Sequence, residues 1–370
     1  MNPALTLPRL VFGSGTLACL DSELTRLGVK RPLLISDRGI EKAGIVAKVT
    51  TVAPTVIATC LDIPENPTAA GADFAAVAYR TGSCDAIIAL GGGSVIDTAK
   101  IVAALVYTDI ASAAALIGKP AALGTSVAPL IAIPTTLGTG SESSPVAALH
   151  AYEGGPAVAT RCDLMVPRVV LCDPDLTRTL PPHLVAATGI DALSHCIEGF
   201  FAEPAHPIID ALALNGIVRV FADVEEACTP AGDAARLSLM AAAYAGGVAI
   251  HKGLGPAHAV ALACGDQHAH HGTLVAVALP HTTQLLAQHL PVKAARMAVG
   301  LGLSSTASIG EALSQLIRAL RLPETLSAAG YKVNDFERFI ADLVASPFNR
   351  SSPYAPREAE YRAIAGRIIG

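Results

Sequence analysis

Short apolar runs punctuate the first half of the chain: Pro32-Leu-Leu-Ile-Ser36, Val56-Ile-Ala-Thr-Cys60, Asp85-Ala-Ile-Ile-Ala-Leu90, Leu130-Ile-Ala-Ile133 and Arg168-Val-Val-Leu-Cys172. Their interiors do not alternate polar with apolar residues, as a strand with one wet face does, so each is expected to be a strand buried on both faces. Helical stretches separate them. That rhythm predicts a parallel sheet covered by helices. After Asp173-Pro-Asp-Leu176 the strand-like runs stop, and alanine- and leucine-rich segments of helical period take over, as in residues 235–244 and 308–318. The expected organisation is an α/β domain over residues 1–177 and an all-helical domain over residues 178–370. A cleft between two such domains is the natural place for a ligand.

Composition narrows the function classes. Hydrophobic residues make up 52% of the 370 positions, yet the long uncharged stretch between Lys119 and Glu142 is broken by Pro129, Pro134 and several glycines and threonines. A membrane span is not expected there. No basic segment followed by an apolar one opens the chain, so the expected address is the cytoplasm. The eight cysteines contain no CxxC spacing and sit mostly in apolar runs, the pattern of buried reduced thiols. A net charge of −5 without a basic cluster argues against nucleic acid as a partner.

Two loops carry candidate anion chemistry. The run 85–90 leads into Gly91-Gly-Gly-Ser94 and then a helical stretch, which lets backbone N–H groups and the positive end of a helix approach a phosphate. Ser94 is expected to cap that helix, with Asp97 as the acidic member of a capping box. A tight strand-to-helix turn without a ligand fits the same residues. The run 130–133 likewise ends in Pro134-Thr-Thr-Leu-Gly-Thr-Gly-Ser-Glu142, where Thr135, Thr136 and Thr139 offer donors at the carboxyl edge of the sheet. Asp37, just beyond Ile35, suits an adenosine ribose, although helix caps commonly look the same. Gly13-Ser-Gly15 reads as a hairpin turn.

A candidate metal site lies in the second half. Asp191 and His195 are spaced to share one helix face, and His258 and His271 each introduce a later apolar run. By spacing alone the first pair fits a solvated helix face equally well.

In sequence order these segments resemble the iron-containing (group III) alcohol dehydrogenases. The resemblance runs through Phe12-Gly-Ser-Gly15, Asp37, Glu65-Asn-Pro-Thr68, the stretch 85–100, Pro134 to Glu142, Asp173-Pro174, Asp191-Ala-Leu-Ser-His195, Lys252-Gly-Leu-Gly255 with His258, and His271-Gly272. It implies a dehydroquinate synthase-like architecture: an N-terminal parallel-sheet dinucleotide-binding domain and a C-terminal all-helical metal-binding domain. It also implies hydride transfer between NAD, or NADP, and a small alcohol or aldehyde, in a homodimer or higher homo-oligomer. The implied ligands of Fe²⁺ or Zn²⁺ are Asp191, His195, His258 and His271, a mixed hard and borderline set suited to either ion. The implied cofactor residues are Asp37, Asn66, Gly92, Gly93, Ser94, Asp97, Thr135, Thr136 and Thr139.

Three positions depart from that pattern. Leu262 stands where a proton-passing histidine is usual, which turns attention to His251, His268 and His270. Ala157 replaces a lysine ahead of Pro167. The segment before the fourth ligand is one residue short, which makes His268 the alternative to His271. Two other functions remain open at this stage: a sugar-phosphate cyclase-type lyase, disfavoured by the few basic residues between 226 and 300, and a noncatalytic nucleotide or metal binder.

Overall fold

The computed structural model describes residues 5–267 and 269–370. They form two compact units: Leu5–Thr136 with Ser141–Leu180, and Leu137–Gly140 with Pro181–Gly370. A four-residue piece of the threonine loop thus belongs with the helices rather than with the sheet that precedes it.

The first unit contains eight strands: β1 (Arg9–Phe12), β2 (Pro32–Ile35), β3 (Ala58–Cys60), β4 (Ala86–Gly91), β5 (Leu130–Pro134), β6 (Val146–His150), β7 (Ala157–Arg161) and β8 (Val169–Cys172). Its longer helices are α1 (Leu20–Leu27), α2 (Arg38–Lys42), α3 (Ile45–Val52), α4 (Ala69–Thr81) and α5 (Gly93–Leu105). Six strands pair in parallel in the order β1-β8-β5-β4-β2-β3. Every residue of β2, β4, β5 and β8 is buried, as expected of strands covered on both faces. Leu20 and Leu24 of α1 and Ile45 and Val49 of α3 close one face over Leu34, Ile88, Ile131 and Val169. At the carboxyl edge, Ser36 donates its hydroxyl to Leu90 O at 2.7 Å and its N–H to Cys60 O at 2.9 Å, which holds the ends of β2, β3 and β4 side by side.

Two local expectations are corrected. Gly13-Ser-Gly15 is not a hairpin, because β1 runs parallel to β8. It is a strand-to-helix turn whose Gly15 and Leu17 N–H groups donate to the Asp173 carboxylate at 3.1 and 2.9 Å. The sequence pattern also gave no sign of the antiparallel ribbon β6–β7, in which short alanine-containing strands are only partly buried.

The second unit comprises α6 (Pro182–Phe201), α7 (Pro207–Ala227), α8 (Asp233–Ala249), α9 (Pro256–Ala263), α10 (His271–His289), α11 (Pro291–Gly300), α12 (Ile309–Ala319), α13 (Phe336–Ala345) and α14 (Glu358–Ile368). Helix α6 is its axis. Each residue from Val185 to Phe201 is buried, against α7, α8 and α10. Among the described helices only α6 is long and apolar enough to cross a membrane, and 94% of its most apolar window is buried inside the unit, as befits a core helix. Its last carbonyls, which lack helical partners, are met by ammonium groups: Lys293 Nζ reaches Phe200 O at 2.6 Å and Ala202 O at 3.2 Å. Lys252 Nζ adds a bond to Phe200 O at 3.4 Å and pairs with Asp210 of α7.

Helix α6 approaches α8 closely because Gly199 has no side chain there; a Cβ would stand 2.5 Å from Ala249 Cβ and 2.8 Å from its carbonyl oxygen. Gly199→Ala is therefore expected to destabilise the protein by about 1–3 kcal/mol through overpacking. Gly366→Ala is the control, since Gly366 is an exposed position of α14 with nothing within 4 Å of its would-be Cβ. That change is expected to be neutral or to stabilise by up to about 1 kcal/mol. Thermal melts of the two variants should move apart, and equal melting temperatures would contradict the close α6–α8 packing.

Candidate metal centre and cofactor loops

Helix α6 presents Asp191, His195 and Glu198 on one face at spacings of four and three residues. Helix α9 brings His258, and the first residue of α10 is His271. Three imidazole nitrogens converge on one carboxylate oxygen. Asp191 Oδ1 lies 3.7 Å from His195 Nε2, 3.8 Å from His258 Nε2 and 3.7 Å from His271 Nε2. These separations are too long for hydrogen bonds. They match the edges of a coordination shell, since ligand atoms about 2.0–2.3 Å from a shared ion stand about 3.3–3.8 Å apart. Asp191, His195 and His258 are all buried, whereas the His271 side chain is 55% exposed and forms the open side of the cluster.

Hydrogen bonding leaves the centre unsatisfied. Among the described residues, Asp191 Oδ1 and His258 Nε2 are buried without a hydrogen-bond partner, which is costly for a carboxylate and an imidazole alike. The outer nitrogens, by contrast, are held. His195 Nδ1 meets Gly138 O at 3.3 Å, and His258 Nδ1 meets Glu198 Oε2 at 2.6 Å. Glu198 also accepts from the N–H groups of Gly255 at 2.8 Å and Ala257 at 2.6 Å, so it fixes both the ring and the helix start that carries it. An acceptor on Nδ1 leaves Nε2 as the lone-pair nitrogen facing inward. Burial pushes the His195 pKa down to about 3, so its imidazole is neutral and able to donate that lone pair. At His258 burial also opposes the charged form, but the charge and hydrogen bond of Glu198, with Asp191 behind them, outweigh it and raise the pKa. Desolvation raises the pKa of Asp191.

Glu198 was not among the residues singled out in the sequence. The signal was available, because an acid seven residues after Asp191 falls on the same helix face. His270 precedes α10 as its N-cap residue and stands with Nδ1 3.4 Å from Thr273 Oγ1, while His251 is buried at the end of α8. His268, the alternative fourth ligand, lies outside the described residues. Leu262 sits in α9, one turn after His258.

Of the cofactor candidates, Asp37, Gly92, Gly93, Ser94, Thr135 and Thr136 follow directly on the carboxyl ends of β2, β4 and β5. Helix α5 begins at Gly93 with Gly92 as its N-cap residue, and no side chain caps it. This corrects the expected capping box. Ser94 lies inside the first turn, and Asp97 turns away to bond Ser141 and to accept from Ala148 N at 2.9 Å, with Lys100 Nζ 4.0 Å off. A tertiary role has displaced the local one. The first-turn N–H groups of α5, which like those of any helix have no intrahelical acceptors, are consequently left without a side-chain cap as well. A Cβ on Gly92 would lie 3.0 Å from Thr136 Cγ2, so the glycine and threonine loops touch. Thr135 Oγ1 is buried and has no partner among the described residues. Thr139 belongs to the four-residue piece that joins the helical unit. Asp37 caps α2 by accepting from Ile40 N at 2.9 Å. Asn66 is exposed, two residues before Thr68, which caps α4. Ala157, which replaces the expected lysine, opens β7 opposite His150.

Comparison with known proteins gives a consistent picture. The family model for iron-containing alcohol dehydrogenase matches residues 8–174, and that for the C-terminal part of the Fe-containing alcohol dehydrogenase family matches residues 185–366. The 4-hydroxybutyrate dehydrogenase of Cupriavidus necator is 35% identical over 95% of each chain. Among solved structures, a 1,3-propanediol oxidoreductase superposes with a TM-score of 0.91 at 28% identity, covering 98% of both chains. The sulfoacetaldehyde reductase of Bifidobacterium kashiwanohense, in complex with NAD⁺, reaches 0.87 at 26% identity, covering 99% of this chain and 98% of its own. Two family models matched in order and a relative aligned end to end establish that the chain belongs to the iron-containing alcohol dehydrogenase family and is an oxidoreductase of the alcohol dehydrogenase type.

Proposed function

We propose that the protein interconverts a small alcohol and its aldehyde using NAD(H) and a divalent metal held by Asp191, His195, His258 and His271. The observation that carries this reading is the convergence of three imidazole nitrogens on a buried Asp191 oxygen that has no hydrogen-bond partner among the described residues. When bound, the metal supplies Lewis acidity toward the substrate oxygen and the nicotinamide supplies or accepts the hydride.

The chain's own residues supply everything else. Glu198 orients His258 and strengthens it as a donor, and the Gly138 carbonyl does the same for His195. The uncapped start of α5 offers N–H groups and a positive dipole end to the pyrophosphate, with Gly92 admitting close approach. Thr135 and Thr136 add hydroxyls beside it. Asp37 is the acceptor proposed for the adenosine ribose. Leu262 can neither take nor give a proton, so proton release runs through other groups. A lyase handling a phosphorylated polyol and a noncatalytic binder are both disfavoured by membership of a dehydrogenase family. The named relatives support a small, non-phosphorylated alcohol as substrate.

Replacing His195 with Ala is expected to remove most bound metal and most turnover while the protein still melts cooperatively. Full activity in a metal-free variant would falsify the site. His271→Ala should likewise lose metal and His268→Ala should not; the reverse result, read by metal analysis of both purified proteins, moves the fourth ligand to His268.

Glu198→Gln keeps the shape and one acceptor but loses the charge against His258. It is expected to weaken metal binding about 10–100-fold in competition with a chelator. Unchanged metal affinity would mean that Glu198 acts only on the backbone of α9.

Cofactor choice is testable at Asp37. Its carboxylate should accept from the 2′-hydroxyl of NAD and repel the 2′-phosphate of NADP. The protein is expected to favour NADH, and Asp37→Gly should raise the NADPH to NADH ratio of catalytic efficiency at least about tenfold. A parent enzyme that already prefers NADPH overturns the assignment.

A further inference from the structure

Arg38 follows Asp37 directly at the end of β2, and a guanidinium there is the usual means of holding a 2′-phosphate. In this protein it is already engaged. Its Nε donates to Asp62 Oδ1 at 2.7 Å and its Nη2 to Asp62 Oδ2 at 3.1 Å, a two-pronged pairing, while Nη1 donates to Glu41 Oε2 at 2.9 Å. All three guanidinium nitrogens thus face carboxylates. Asp62 lies two residues beyond Cys60, the last residue of β3, and Glu41 one turn along α2. The chain just beyond β3 and the first turn of α2 thus bring Asp62 and Glu41 to one guanidinium, beside Asp37 in sequence, on strands whose neighbour β4 leads into the Gly91–Gly93 turn. Lys42, the other base of α2, sits at its C-terminal end.

We propose that Asp62 and Glu41 determine cofactor specificity by clamping Arg38, so that a nicotinamide cofactor bearing a 2′-phosphate finds three carboxylates and no available guanidinium. The inference rests on the cofactor reading above and extends it from Asp37 to a pair of acids outside the family motifs. The physical basis is competition. Exposed ion pairs are individually weak, but a bidentate fork with a third bond has favourable geometry. A phosphate could recruit Arg38 only by displacing both acids, and would then still face their charge. The Arg38 hydrogen bonds hold the Asp62 carboxyl below its ordinary pKa, so it stays ionised throughout the working range.

The test uses full-length protein and two non-redox probes, adenosine 5′-monophosphate and adenosine 2′,5′-bisphosphate, titrated calorimetrically beside NADH and NADPH. The double variant Asp62→Asn, Glu41→Gln removes both acids while keeping their shapes. It is expected to tighten the bisphosphate and NADPH at least about tenfold, with the monophosphate and NADH changed less than about twofold. Adding Arg38→Ala to the double variant should cancel most of the gain, whereas Arg38→Ala in the parent leaves Asp62 and Glu41 unpaired and should not tighten the bisphosphate. An unmoved ratio in the double variant overturns the clamp, as does a gain that survives when Arg38→Ala is added to it. If NADH binds but the ratio does not move, only the clamp fails; if neither NADH nor the monophosphate binds the parent, the cofactor reading fails with it.

Discussion

A carboxylate in the middle of an apolar helix bundle needs a compensating charge, and Asp191 is 5% exposed on the most buried helix of the protein. The surrounding residues do not supply that charge directly. Burial disfavours the charged forms of His195 and His271, while His258, against the effect of burial, is shifted toward its charged form by Glu198 beside it, so the Asp191 carboxylate is the charge that a divalent cation would balance. Glu198 is stabilised by two backbone N–H groups and His258, whereas Asp191 Oδ1 has no hydrogen-bond partner among the described residues and faces imidazole nitrogens 3.7–3.8 Å away. A carbonyl and a carboxylate hold two of the rings that face Asp191, and two lysines and a close glycine contact with α8 fix the end of the helix that carries it.

On the proposed reading, the α/β unit answers a different need, the approach of a large anion. Its edge is built from chain ends rather than side chains, with β4 and β5 in register so that Gly91 pairs with Pro134 and both loops leave the sheet together. Leaving α5 uncapped keeps its amides available. The price is that Asp97 and Lys100 must hold the loop from inside, and Lys100 Nζ, wholly buried, donates to Ser144 O at 2.9 Å and Val146 O at 2.6 Å. Desolvation lowers its pKa to about 8.

How much of this was legible in the sequence varied with the physics of each segment. Strands β2, β4, β5 and β8 were plain, because burial on both faces demands an unbroken apolar run. Strands β6 and β7 were not, since a partly buried ribbon of small residues has no distinctive period. Ser94 and Asp97 show the limit of local reasoning: their spacing suits a capping box, but Asp97 gains more from Ser141 and Ala148, distant in sequence, than from the amides beside it. The proximity of Asp191, His195, His258 and His271 came from the family motif, as spacing alone spoke only for the first pair. Glu198 is legible only by extending the Asp191–His195 spacing one more turn, since it belongs to none of the motifs yet falls on the same helix face. Arg38 was visible as an ambiguity that sequence could not resolve, since Asp62 is 24 residues away.

The stretch from Pro134 to Glu142 explains why a run of glycines and hydroxyls belongs at this point of the chain. It leaves β5 with Thr135 and Thr136, contributes Leu137–Gly140 to the helical unit, and returns at Ser141 to bond Asp97 of α5. Within the helical unit, a Cβ on Gly138 would stand 2.2 Å from Thr188 O, so only glycine brings this backbone close enough for its carbonyl to hold His195. Nine residues thus contribute in turn to the loop beside the glycine turn and to the orientation of a proposed metal ligand. A residue with a larger side chain at Gly138 would have to move the backbone away from α6. The glycine at 138 therefore follows from what the loop backbone must touch, and the Ser141 hydroxyl from its bond to Asp97.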